Sequence, residues 1–96
     1  MYATVRRYEG VTDPAEAAKR VQEGFLPILG EIAGFVEYYW IDAGGGVMIS
    51  VSVFQSLTAA IESNQRASGW VRENLSALLP SPPQITAGKV VAHRKK

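Results

Sequence analysis

The sequence has no cysteine among its 96 residues and only one histidine, His93. The absence of cysteine excludes disulfide bonds, thiolate nucleophiles and cysteine-ligated metal sites. His93 lies in the basic terminal stretch "HRKK", and a lone histidine in such a tail is more often a solvated surface residue than a metal ligand. We therefore predict that the protein has no metal site.

Neither sign of charge dominates, since 10 Lys and Arg stand against 9 Asp and Glu. This balance gives no electrostatic basis for nucleic acid as a partner. No apolar stretch approaches the roughly 20 residues of a membrane span, and "MYATVRRYEG" carries charges where a signal peptide needs an apolar run. We expect a single cytoplasmic domain over residues 1–96, with no membrane partner.

The hydrophobic periodicity changes several times along the chain and predicts alternating strands and helices. A helix is expected to begin at Asp13, where Pro14 and Glu16 complete a typical capping sequence. Pro27 lacks an amide donor, so an irregularity is expected in that helix. The predicted order is strand 2–9, helix from Pro14, strands 34–42 and 46–55 around the turn "DAGGG", helix 56–79 and a last strand in "QITAGKVVAHR".

This order of elements predicts the ferredoxin-like α+β fold, βαββαβ. In that fold a four-stranded antiparallel sheet carries two helices on one face. The other face of the sheet has no cover within one chain.

The strand over residues 46–55 has one purely aliphatic face and one mixed face. Val47, Ile49, Val51 and Val53 form the aliphatic face, which we assign to the helices because helix-on-sheet packing needs a dry surface. Exposed aromatic residues on the bare face would then have to pair with another molecule. The sequence thus predicts a homodimer whose interface contains Tyr38, Trp40 and Phe54.

The second helix has an apolar stripe that two polar residues interrupt. The stripe comprises Leu57, Ile61, Asn64, Ser68, Val71, Leu75 and Leu78. Buried polar groups are costly unless paired, so Asn64 and Ser68 line a ligand pocket, or else Asn64 caps a loop or bonds to a sheet residue such as Tyr39. Trp70 lies off the stripe. It either closes the edge of the pocket or packs on the first helix or on the partner subunit. The candidate pocket residues are Asn64, Ser68, Trp70 and Tyr39.

A family resemblance covers almost the whole chain. The segments "FLPILGEIAGFVEYYWIDAGGGVMISVSVFQS", "ESNQRASGWVRENL" and "PPQITAGKVV" resemble the antibiotic biosynthesis monooxygenase-like family of the dimeric α+β barrel superfamily. The resemblance implies a homodimer with a cavity between helices and sheet in each subunit. Some members oxygenate polycyclic phenols without a cofactor, some degrade haem, and many have no known activity, so the fold does not settle the function.

Two related classes fit the sequence poorly. Haem-degrading members use a helix-borne histidine and an asparagine near the first strand, whereas this chain has only His93 and no asparagine in "YATVRRYE". RNA-binding domains of related topology carry basic, glycine-rich strand motifs, which "VMISVSVF" lacks.

Two functional hypotheses remain open. One is a cofactor-independent monooxygenase acting on a small aromatic compound, whose family relatives place an asparagine and a tryptophan on the helix that here carries Asn64 and Trp70. The other is a non-catalytic dimeric module that binds a hydrophobic metabolite or has a structural role. An enclosed void with converging polar groups favours the first, and a filled helix–sheet interface favours the second.

Overall fold

The computed structural model describes all residues, 1–96, and shows the predicted order of elements. The first helical stretch is one continuous run of helix with a π-helical turn, Val21–Phe25, in its middle. The elements are β1 (Tyr2–Tyr8), α1 (Pro14–Arg20), the π-helical turn, α2 (Leu26–Gly30), β2 (Phe35–Gly44), β3 (Val47–Phe54), α3 (Leu57–Asn74) and β4 (Gln84–Lys89).

The strands form one antiparallel sheet in the order β2-β3-β1-β4. The two strands that are central in space, β3 and β1, are therefore distant in sequence, with the first helical stretch and β2 between them. With the helices on one face, this is the ferredoxin-like fold that the sequence predicts.

Both helix starts have the caps that the sequence indicates. Asp13 accepts a hydrogen bond from the backbone amide of Glu16 at 3.2 Å. Ser56 Oγ accepts one from the amide of Ala59 at 3.1 Å. These side chains satisfy amides that the first turn leaves free. At its other end α3 stops at Asn74, earlier than predicted, and residues 75–78 form turns.

The irregularity expected near Pro27 takes the form of the π-helical turn directly before it. Leu26 donates its amide proton to the carbonyl of Val21, five residues back. Pro27 has no amide proton to give to Glu23, and a local change from α to π geometry accommodates such a missing bond without ending the helix.

The turn between β2 and β3 depends on glycine. Gly44, Gly45 and Gly46 have φ angles of 84°, 62° and 79°, a region that side chains with a Cβ rarely adopt. Gly46 also accepts a hydrogen bond at 2.9 Å from the amide of Val11. The turn is thereby attached to the loop that follows β1.

The predicted assignment of the two sheet faces is wrong. The mixed face lies under the helices and is called the inner face; it consists of Thr4, Arg6, Tyr8, Tyr38, Trp40, Met48, Ser50, Ser52 and Phe54. The aliphatic face, called the outer face, carries Val5, Tyr39, Ile41, Val47, Ile49, Val51 and Val53 and has no layer over it.

The predicted dimer interface needs the same correction. Phe54 is fully buried, and Tyr38 and Trp40 pack against the core beneath the helices. The ring of Phe25, from the π-helical turn, lies 5.6 Å from that of Tyr38. These three aromatic residues therefore cover the core of one chain and do not lie on the bare face.

The inner side of α3 also differs from the predicted stripe. Ala59, Ala60, Ser63 and Ala67 are buried, whereas Leu57 and Ile61 are 52% and 48% exposed. Small residues on the helix leave room for the large rings of the inner face, as close packing requires. Compared with the prediction, α3 is rotated about its axis so that its alanines face the sheet.

No helix in the structure combines the length and the apolar character needed to cross a membrane.

Candidate functional site

The inner face carries a buried cation, Arg6, at the middle of β1. Arg6 is only 6% exposed, and alternation along the strand places it on the same side as Tyr8. Its Nη2 donates a hydrogen bond to Oδ1 of Asn64 on α3. None of the four ion pairs of the protein involves Arg6. A buried guanidinium thus has an amide as its hydrogen-bond partner and no carboxylate.

Two tyrosines and a tryptophan surround this cation on the inner face. Burial raises the pKa of Tyr8, and the charge of Arg6 partly offsets that rise. Burial also raises the pKa of Tyr38 far above its ordinary value, against smaller lowering effects of the Ser50 hydroxyl and Arg6. Both phenols are therefore neutral at physiological pH. The indole Nε1 of Trp40 is buried without a hydrogen-bond partner.

A cavity of about 250 Å³ lies beside Arg6, between α3, the proline-rich segment after it and β4. We call it the proline cavity. The cavity is open to solvent, as the exposure of several of its lining residues shows. Its lining includes Arg6, Tyr8, Ser68, Arg72, Leu79 and Pro82.

The central helix–sheet interface, by contrast, is almost filled. The void between Phe25, Trp40 and Trp70 measures only about 10 Å³. The rings of Phe25 and Trp70 lie 5.3 Å apart, and Tyr8 and Trp40 are 5.6 Å apart. Aromatic packing at such distances is favourable. Space for a ligand therefore lies beside this aromatic cluster, as in the proline cavity, and not within it.

The structure separates the four candidate pocket residues. Ser68 lines the proline cavity, and Asn64 lines a second cavity of about 150 Å³ near the start of α3. Trp70 packs on Phe25 beside the small central void. Tyr39 lies on the outer face and donates a hydrogen bond to Glu37, which raises its pKa. Asn64 does bond to the sheet, but its partner is Arg6 and not Tyr39.

Sequence reasoning missed Arg6 and Tyr8, which line the proline cavity. A signal was present, because Tyr2, Thr4, Arg6 and Tyr8 alternate onto one face of β1. The alternation alone does not show whether that face lies under the helices or on the bare side of the sheet. Nowhere in the chain do three or more His, Cys, Asp or Glu residues come together in a group that could hold a metal ion.

Comparison with known proteins gives similarity in structure only. No family model matches the sequence, and no curated protein does. Among solved structures, NE2512, a protein of unknown function from Nitrosomonas europaea, is 18% identical with a TM-score of 0.78. That match covers 99% of this chain and 93% of the other.

Two further solved structures have names that include an activity. The monooxygenase from the gene ActVA-Orf6 of Streptomyces coelicolor, in complex with nanaomycin D, is 19% identical with a TM-score of 0.78, over 99% of this chain and 91% of the other. SnoaB from Streptomyces nogalater, a cofactor-independent oxygenase, is 14% identical with a TM-score of 0.77, over 99% and 97%. The resemblance to the antibiotic biosynthesis monooxygenase-like family is thus confirmed at the level of the fold.

Proposed function

We propose that the protein is a cofactor-independent monooxygenase that oxidises a small phenolic compound in the proline cavity. The observation that carries the proposal is the position of the Arg6 guanidinium, buried on the inner face and at the wall of that cavity. A fixed donor in a site of low polarity stabilises negative charge that develops on a bound substrate. The similarity in fold to a monooxygenase and to a cofactor-independent oxygenase supports the same reaction class.

The reaction balances with molecular oxygen as the only oxidant. A phenol gives its hydroxyl proton to water at the open mouth of the cavity, from which the peroxide formed next takes a proton back, and the phenolate is stabilised by the Arg6 charge. Oxygen then adds at the ring carbon para to the phenol oxygen and forms a hydroperoxide. The C–H bond at that carbon and the O–O bond break, which leaves a quinone carbonyl. One oxygen atom stays in the quinone and the other leaves as water, so that phenol and O₂ give quinone and water.

The size and lining of the cavity limit the substrate. Ligand cavities usually measure about 300–1,000 Å³, so the roughly 250 Å³ here suits a compound of one or two fused rings. Tyr8, Leu79 and Ile85 give an apolar wall for such rings. We propose that the hydroxyl of Tyr8, which lines the cavity, donates a hydrogen bond to the bound compound. Burial raises the pKa of Tyr8, so its side chain keeps the proton that it donates.

The test is oxygen consumption by the metal-free and cofactor-free protein with a panel of one- and two-ring phenols that includes 1-naphthol and hydroxylated naphthoates. With labelled O₂, one labelled atom should appear in the product and one in water. Ser76 is exposed and lines the cavity, so Ser76→Trp should lower the rate by blocking entry. Gln65→Trp, at an exposed position of α3 outside the cavity, is the matched control. Consumption no faster than with heat-denatured protein for the whole panel would refute the proposal.

A second candidate function is ligand binding without catalysis. The filled central interface favours it, because the void beside Trp70 measures only about 10 Å³ and does not enclose a substrate. Binding of the same phenols without oxygen consumption would establish this alternative.

We also infer that the outer face pairs with the same face of a second copy of the chain. Val5, Tyr39 and Ile41 on that face are 38%, 53% and 42% exposed, and the aliphatic residues of β3 lie between them. Contiguous apolar surfaces of this kind mark interaction sites in water-exposed proteins. A surface that pairs with its own copy forms a two-fold symmetric contact.

A further inference from the structure

Arg6 has more hydrogen-bonding capacity than the protein uses. A guanidinium carries five N–H donors, and the side chain of Arg6 donates one hydrogen bond, to Asn64. The remaining donors are not orphaned in a closed core, because Arg6 lines the open proline cavity. A charge this deeply buried is costly unless an opposite charge or solvent meets it.

Nothing in the lining of the cavity supplies the opposite charge. No aspartate or glutamate is among its residues, and Arg72 adds a second cation at the mouth. Tyr8, the only phenol in the lining, is held neutral by burial, which raises its pKa. The cavity is therefore cationic at its inner wall and at its rim, in a protein whose net charge is only +1.

The remaining wall is apolar and semi-rigid. Leu79, Val71 and Ile85 contribute aliphatic surface, and Pro80, Pro82 and Pro83 line the side opposite α3. A ligand that matches both the cationic wall at Arg6 and the apolar wall has a flat apolar body and an anionic group at one end. Arginine binds carboxylates through two parallel hydrogen bonds, and this geometry is stronger than a contact with a neutral group.

We propose that the proline cavity takes an aromatic carboxylate, with its carboxylate on Arg6 and its rings against the proline-rich wall. The inference rests on the proposed function for the location of the site, and it narrows the substrate class to phenols that also carry a carboxylate. A carboxylate is ionised at neutral pH, whereas a simple phenol is not. It therefore binds Arg6 before any proton leaves the phenol, and the donors of Arg6 that the carboxylate and Asn64 do not use remain for an adjacent phenolate oxygen.

Calorimetric titration of the full chain with 2-naphthoate and with the neutral 2-naphthamide tests the proposal. Neither probe has a phenol, so the measurement is independent of oxygenation. We expect 2-naphthoate to bind at least about tenfold more tightly, the size expected for one charge-assisted contact. Arg6→Met should abolish this preference, while Arg72→Met, which removes the exposed cation at the rim, should retain most of it.

Each outcome decides the matter. Equal affinities in the unmodified protein, or a preference that disappears in Arg72→Met, would overturn the assignment to Arg6. If Arg6→Met does not fold, Arg72→Met still decides the assignment. Arg6 and Arg72 are the only basic residues in the cavity wall, so a preference that Arg72→Met retains comes from Arg6. Carboxylate preference without oxygen consumption by any hydroxylated naphthoate refutes the proposed function alone. Oxygenation of neutral phenols without carboxylate preference refutes this inference alone.

Discussion

At the scale of single residues, the contact between Arg6 and Asn64 joins the sheet to α3. Arg6 is buried and Asn64 is half-buried, so water competes weakly for their hydrogen bond. Asn64 Oδ1 is the acceptor, and an amide holds the guanidinium in place without neutralising it. The pair thereby orients the cation and leaves its charge available to a ligand.

Replacing Asn64 by leucine should destabilise the protein. Asn64→Leu removes the only side-chain acceptor of Arg6, and a buried donor left without its partner costs about 1–3 kcal/mol. Asn64→Asp is the matched comparison, since a carboxylate keeps the bond and adds an opposite charge. It should be at least as stable as the unmodified protein but bind 2-naphthoate more weakly. Urea unfolding measures both variants, and an unchanged or higher midpoint for Asn64→Leu would contradict the role given to this bond.

At the scale of elements, the first helical stretch approaches α3 closely through a glycine. A Cβ built on Gly24, in the π-helical turn, would lie 2.9 Å from Cζ2 of Trp70. The ring of Trp70 also packs against that of Phe25, with 5.3 Å between the centroids, and this contact limits its movement. Gly24 is thus required by packing and not by its backbone angles, which are not in the positive-φ region.

The substitution Gly24→Ala should lower stability although alanine is the better helix former. The gain in helix propensity is about 0.5–1 kcal/mol, whereas forcing an extra methyl into a packed contact costs about 1–3 kcal/mol. Gly69→Ala, in α3 with nothing within 4 Å of the added Cβ, should be stabilised by the propensity term alone. Thermal unfolding followed by circular dichroism compares the two. A rise of the midpoint in both variants would show that the ring of Trp70 moves aside freely.

At the scale of the whole molecule, the uncovered outer face is the surface through which we propose that two chains pair. Val51 lies at its centre, opposite Val5 on β1 and Tyr39 on β2. A charge placed there would be buried without a partner in a sheet-to-sheet contact, which is strongly destabilising for the assembly.

Sedimentation of the unmodified protein should give twice the chain mass of 10.4 kDa at micromolar concentration. Val51→Lys should shift the mass to that of one chain. Gln65→Lys, which adds the same charge at an exposed position of α3, should stay dimeric. A single-chain mass for the unmodified protein would exclude the pairing of outer faces.

Local sequence signals determined the elements of this protein and their order. Asp13 and Ser56 cap the two helix starts, and three glycines permit the hairpin turn. Each of these features depends on a few neighbouring residues, so the sequence shows them directly. The order of elements then limits the fold to the ferredoxin-like arrangement. Asn64 was recognised as a polar residue that needs a partner, for the same local reason.

Only the tertiary structure decided which face of the sheet the helices cover. Alternation in β3 defines two faces but does not say which one is inside. The answer depends on size matching between distant elements, because the small buried alanines of α3 and the large rings of Tyr8, Trp40 and Phe54 share one packed core. The same choice placed Arg6 inside, opposite Asn64, which is 58 residues away in sequence. The site therefore arises from packing between elements, which no local pattern records.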